Sequence, residues 1–189
     1  MQVPEPVGER EVLARKYGKQ FVAQNFQLPD GNEIDYVSQY GETVPVIVFA
    51  VTEDGKVVVV HQYRYAPNVV ITELPGGCPK PGQTPEDVLA AELREETGYE
   101  YTFAVRITPQ SLFFEPASLN TPYLAYLATG CRKIAEPNLD PTEFLTVEEV
   151  GLGEWLYRIF GGEIRDDKTI AVTMLALPHL GYKITRSIA

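Results

Sequence analysis

Apolar and polar positions alternate with a period of two through the first forty residues, over REVLARKYG, KQFVAQNFQL and EIDYVSQYG, with PDGN between the last two. An Asp-Gly pair flanked by alternating segments is a hairpin signal, so residues 1–41 are expected to form a small antiparallel layer. VPVIVFAVT (44–52) and KVVVVHQYRYA (56–66) flank a second Asp-Gly turn. Their nearly continuous β-branched character predicts central strands buried on both faces.

The pattern changes after VVITELPGG. Three prolines and three glycines fall between residues 75 and 82, which forbids helix there. Thr84 then offers an N-cap, with Pro85 at the first helical position and Asp87 at the third. Val88, Leu89 and Leu93 recur at helical spacing, and Gly98 is the expected stop. Strands are predicted at YTFAVRITP, SLFFEP, TPYLAYLAT and TEFLTVEEV, with helices near 152–160 and 167–178. This order predicts an α/β fold, a mixed sheet between helices, with residues 42–189 as the main domain.

Composition narrows the class. In 189 residues, 44% are hydrophobic and 22% charged, ordinary values for a globular protein, and no run of about 18 apolar residues is present to span a membrane. The first twenty residues lack the apolar core of a signal peptide, so a cytoplasmic location is expected. The net charge of −10 and the lack of a basic stripe argue against nucleic acid as partner. Cys78 and Cys131 stand apart and read as free thiols.

Candidate chemistry gathers on the helix. Glu92, Glu95 and Glu96 lie at i, i+3 and i+4, where like charges cost roughly 0.2–0.5 kcal/mol per pair. A solvated acidic face is one reading. The other is a hard divalent cation, which takes carboxylate oxygens and leaves positions open for water and phosphate oxygens.

The spacing of Gly77, Glu92, Leu93, Glu95, Glu96, Gly98 and Tyr99 resembles the Nudix box: Gly, five residues, Glu, seven residues, then Arg-Glu-apolar-X-Glu-Glu-X-Gly-apolar. Gln83 stands in place of the first Glu, and Ala91 in place of Arg. Beyond the box, LPDG at 28–31, VTEDGKVVVVHQYRY at 51–65, ELPGG at 73–77, Pro116 and EIRDDKTIAVTMLAL at 163–177 resemble the ADP-ribose pyrophosphatase group. The resemblance implies an α/β/α sandwich that hydrolyses the pyrophosphate bond of ADP-ribose or a related nucleoside diphosphate sugar. It also implies a homodimer joined through the N-terminal layer.

By the same resemblance, Glu92, Glu95, Glu96 and the Gly76 carbonyl would ligate Mg2+ or Mn2+. Arg64 is the candidate diphosphate clamp, Glu73 a substrate-orienting or supporting carboxylate, and Glu143 the candidate general base. Tyr63, Tyr65 and Phe26 are possible stacking partners for a base, although strand aromatics commonly belong to the core. Arg94 could brace the carboxylates in place of the missing arginine, and Gln83 retains an oxygen that could reach a metal. Thr121 stands near a position where related enzymes carry Glu, so the departures leave open a nucleotide-binding module without turnover. His61 and His179 read as structural. Trp155, Leu156, Phe160, Ile170, Met174 and Leu175 read as core or dimer contacts.

Overall fold

The computed structural model describes residues 1–16 and 18–183, which fall into two compact units. One comprises Met1–Val44 with Phe113–Pro122, and the other Pro45–Leu112 with the chain from Tyr123 onward. Residues 113–122, which chain order placed within 42–189, therefore group with the N-terminal layer.

In the first unit, β1 (Glu5–Lys16), β2 (Lys19–Gln27) and β3 (Glu33–Gly41) form the expected antiparallel layer. The PDGN turn closes with the Leu28 N–H donating to the Asn32 carbonyl at 2.7 Å. The short strand Leu119–Asn120 then adds to β3 in parallel. Thr121 ends that addition, its Oγ1 accepting the Gly41 N–H at 3.1 Å. Its observed contact is thus structural.

The second unit is built on β4 (Val46–Thr52), β5 (Lys56–Arg64), β6 (Val69–Glu73) and β7 (Gly76–Gly77). A helix, α1 (Pro85–Glu92), follows, then β8 (Tyr99–Glu100) and β9 (Phe103–Arg106). The long β10 (Pro122–Lys133), β11 (Leu145–Gly151), α2 (Leu152–Phe160) and α3 (Asp167–Ala176) complete it. β10 runs parallel to β4, whereas β11 and β6 run antiparallel to β5, so the sheet is mixed.

Every residue of β4 is buried because both faces are covered. Side chains alternate across a strand, and Val46, Val48 and Ala50 meet Val88, Leu89 and Leu93 on the α1 side. On the other side, α3 packs on β4 and α2 on β5. The Trp155 indole N–H joins these two helices by donating to Thr173 Oγ1 at 3.1 Å. Trp155 is fully buried, but Phe160 is 74% exposed, so the expected helix-face grouping is only partly core. Leu175 is exposed and Ile170 and Met174 are half-buried.

β4 and β5 pair only at Ala50–Val58 and Val51–Val57, then diverge. β7 pairs with β4 at Val46 and Ile47, and β6 pairs with β5, so the ELPGG segment enters the fork. That fork receives the carboxylate-bearing helix. No described helix is long and apolar enough to cross a membrane.

Candidate active site

Helix α1 begins as its sequence dictates: Thr84 and Asp87 form a reciprocal capping box, with Pro85 at the first position. Its end departs from a simple α-helix. Leu93–Thr97 form a π-helical turn, closed by Gly98 at φ 78°. The Thr97 hydroxyl donates to the Leu93 carbonyl, and a single widened turn of this kind often occurs at a functional site. A Cβ at residue 98 would collide with the Ala135 carbonyl, so glycine serves both conformation and close approach.

The three glutamates point toward the loop, as their spacing predicts. Glu96 is 3% exposed and accepts the Gly76 N–H at 2.9 Å. Glu92 lies over Gly77, where any Cβ would strike its carboxylate. Glu95 accepts from Lys80 Nζ at 3.1 Å. Burial, reinforced by Glu95 and Glu143, raises the Glu92 carboxyl to about 7. Burial also pushes Glu96 to about 8, with the Glu92 and Glu143 charges adding to it against the Gly76 hydrogen bond and Arg64.

Glu143 reaches the same cavity from a distant segment. The Asn138 N–H donates to the Glu95 carbonyl at 2.8 Å, and the Tyr63 N–H donates to the Phe144 carbonyl at 2.8 Å. These bonds pin both ends of the PNLDPTEF loop, while Glu143 Oε2 accepts the Asp140 N–H at 3.1 Å. Asp140 and Lys80 join the cavity wall and were absent from the sequence-based selection. Lys80 lay in the box loop, but only tertiary contact reveals its partner.

Arg64, at the end of β5, also lines this cavity. Its Nε and Nη2 donate to the two oxygens of Glu73, both at 2.7 Å, and Lys168 Nζ donates to Glu73 Oε2 at 2.8 Å. Asp166 Oδ1 also holds Lys168. Glu73 is 1% exposed, so in this structure it supports Arg64 and does not line the cavity. The cavity, about 320 Å3, is lined by Arg64, Gly76, Lys80, Glu92, Glu95, Glu96, Asp140 and Glu143, among others.

Several secondary candidates find other work. Gln83 Oε1 accepts the Lys80 N–H at 2.7 Å and closes the loop turn, outside the cavity lining. Arg94 is exposed, and Lys80 holds Glu95 instead. Tyr63 and Tyr65 stack edge to face, while Phe26 meets Tyr36 within the first unit. His61 bridges Thr72 and Glu148, both at 2.9 Å, a satisfied structural position. His179 is exposed.

A hard divalent cation matches the donor chemistry, since crowded carboxylates and a close glycine backbone favour it. Their rotamers do not converge: among the described residues no three His, Cys, Asp or Glu side chains form a ready ligand group. Glu96 is engaged by the Gly76 N–H and Glu95 by Lys80.

The NUDIX domain pattern matches residues 41–173. This chain belongs to the Nudix family. It is 32% identical over 149 residues to an ADP-ribose pyrophosphatase from Bacillus subtilis (strain 168), covering 77% of this chain and 78% of that protein. A methanol dehydrogenase activator from Bacillus methanolicus is 36% identical over 134 residues, covering 70% and 71%. An ADP-ribose pyrophosphatase from Mycobacterium tuberculosis (strain ATCC 25618 / H37Rv) is 29% identical, covering 77% and 70%. The crystal structure of an ADP compounds hydrolase matches with TM-score 0.82 over 96% of each chain. At 15% identity that likeness establishes the fold. Nudix hydrolases generally use divalent metals, in keeping with the donor set described above.

Proposed function

We propose that this protein hydrolyses the pyrophosphate bond of ADP-ribose or a related nucleoside diphosphate sugar, releasing a nucleoside monophosphate and a sugar phosphate. The observation that carries this reading is one cavity lined by Arg64 together with Glu92, Glu95, Glu96 and Glu143. The kinship to two ADP-ribose pyrophosphatases supports it.

Glu92, Glu95 and Glu96, with the Gly76 backbone, would hold Mg2+ or Mn2+. When bound, such an ion neutralises phosphate oxygens and lowers the pKa of a coordinated water. Arg64, its Nε and one Nη2 hydrogen held by Glu73, binds the diphosphate through its remaining Nη1 and Nη2 hydrogens. Glu143 takes the proton of the attacking water. The balanced reaction adds one water across one P–O–P linkage. We also propose a homodimer formed through the N-terminal layer, because β1 is exposed along its full length, and, from the sequence, a cytoplasmic location.

A nucleotide-binding module without turnover is the second reading, favoured by Lys80 on Glu95 and by the departures at Gln83 and Ala91. A panel of nucleoside diphosphate sugars, incubated with and without Mg2+ and assayed for nucleoside monophosphate beside a binding isotherm, separates the two. AMP from ADP-ribose supports hydrolysis. Tight metal-dependent binding with no product across the panel overturns it.

A further inference from the structure

Lys80 is placed by its backbone as well as by its charge. Its N–H donates to Gln83 Oε1 at 2.7 Å, and its carbonyl accepts the Gln83 N–H at 3.1 Å, fixing the residue at the cavity rim. From there Nζ lies 3.1 and 3.5 Å from the two oxygens of Glu95. Of the two basic side chains lining the cavity, Arg64 is engaged by Glu73. Ala91 supplies no charge. Lys80 is therefore the ammonium available to a wall carrying Glu92, Glu95, Glu96, Asp140 and Glu143.

We propose that Lys80 is a resident counter-cation of the carboxylate cluster, held on Glu95 in the metal-free protein and displaced when a divalent cation binds. This inference rests on the metal-dependent reading given above. Displacement is physically cheap, because the pair is open to solvent, with side-chain exposures of 60% and 42%. Exposed pairs of this kind are weak, and lysine is a hydrated point charge on a flexible stem. Released, Lys80 remains close enough to the cavity to meet an anionic substrate. A fixed salt bridge that merely steadies the loop would instead survive metal binding.

Direct Mn2+ binding to the metal-stripped full chain, followed by electron paramagnetic resonance and calorimetry, tests the idea without reference to turnover. Lys80→Met should bind Mn2+ about two- to fivefold more tightly than the unmodified protein, the equivalent of an exposed pair. Lys80→Arg, which keeps the charge, should stay near the unmodified value. Lys133→Met removes the same charge from a surface pair with Glu136 and should leave Mn2+ affinity unchanged. Equal or weaker binding by Lys80→Met overturns the role of Lys80 and leaves the hydrolase reading intact. Tightening by Lys133→Met to the same degree also overturns it, since net charge would then explain the effect. No Mn2+ binding by any variant overturns both the role of Lys80 and the metal-dependent reading.

Discussion

Glu73 receives two hydrogen bonds from Arg64, each 2.7 Å, while standing almost wholly out of solvent. Glu73 ends β6 opposite Val60 and Arg64 ends β5 opposite Val69, so the side-chain pairing runs diagonally along the β5–β6 ladder. Lys168, at the start of α3, completes the arrangement. Removing one member of a buried charged group leaves the others unmatched, at a cost of about 3–5 kcal/mol for a fully buried pair. Because Arg64 is 40% exposed, Glu73→Gln should cost about 3 kcal/mol, near the lower end of that range. Urea unfolding measures this loss, and KM should rise as Arg64 loses its orientation.

The same group sets a pH dependence. Burial alone would push the Glu73 carboxyl up, but hydrogen bonds from Arg64 and the Lys168 charge hold it below its ordinary value. A carboxyl with a depressed folded-state pKa binds its proton later than in the unfolded chain. Its contribution is therefore complete above the unfolded value of 4.5 and is lost as pH falls through the lower folded value. Stability curves from pH 6 downward should fall more steeply for the unmodified protein than for Glu73→Gln.

Glu95→Gln and Glu96→Gln should separate activity from stability. Glutamine at 96 keeps an oxygen for the Gly76 N–H and removes a carboxyl whose anion burial disfavours, so metal-free thermal midpoints should hold or rise. Turnover should drop by at least about a hundredfold, equivalent to about 2.7 kcal/mol of barrier. Midpoints that fall for both variants in chelator would make these glutamates structural.

Gly77→Ala places a methyl group where Glu92 lies. Glu92 must swing away, and the expected result is weaker Mn2+ binding measured directly. Ala at this extended position adds no left-handed strain, so a metal-free midpoint within a few degrees of the unmodified protein should accompany the loss.

The N-terminal layer exposes Val12 at 53%, Leu13 at 50% and Val37 at 50%. An isolated small sheet is marginally stable, and apolar side chains on both of its faces favour association. Sedimentation at micromolar concentration should show a dimer. Val12→Glu combined with Val37→Glu should yield monomers, and an unmodified protein that sediments as a monomer would refute the assembly.

Much of the fold follows from local pattern. The Asp-Gly turns, the capping box at Thr84, the stop at Gly98 and the helix from 152 to 160 occur where sequence places them, because each depends on nearby backbone chemistry. The cluster of Glu92, Glu95 and Glu96 is equally local, as is its relation to the Gly-rich loop. Family membership follows from that spacing because the motif occupies one continuous segment, residues 77–99.

Tertiary structure alone decides what each charge faces. Arg64 and Glu73 are nine residues apart on neighbouring strands, but Lys168 reaches Glu73 from helix α3, and no local rule couples position 73 to position 168. Residues 113–122 join the N-terminal layer through Leu119–Asn120 pairing with β3, a register with no sequence signature. Gln83 retains an oxygen that could reach a metal and instead closes a turn, whereas Lys80, which no sequence pattern singled out, holds Glu95. Periodicity determines which residues enter helices and strands, because those preferences act over a few bonds. Ion partners are chosen by through-space geometry and burial, which exist only after the sheet has forked and the helices have packed.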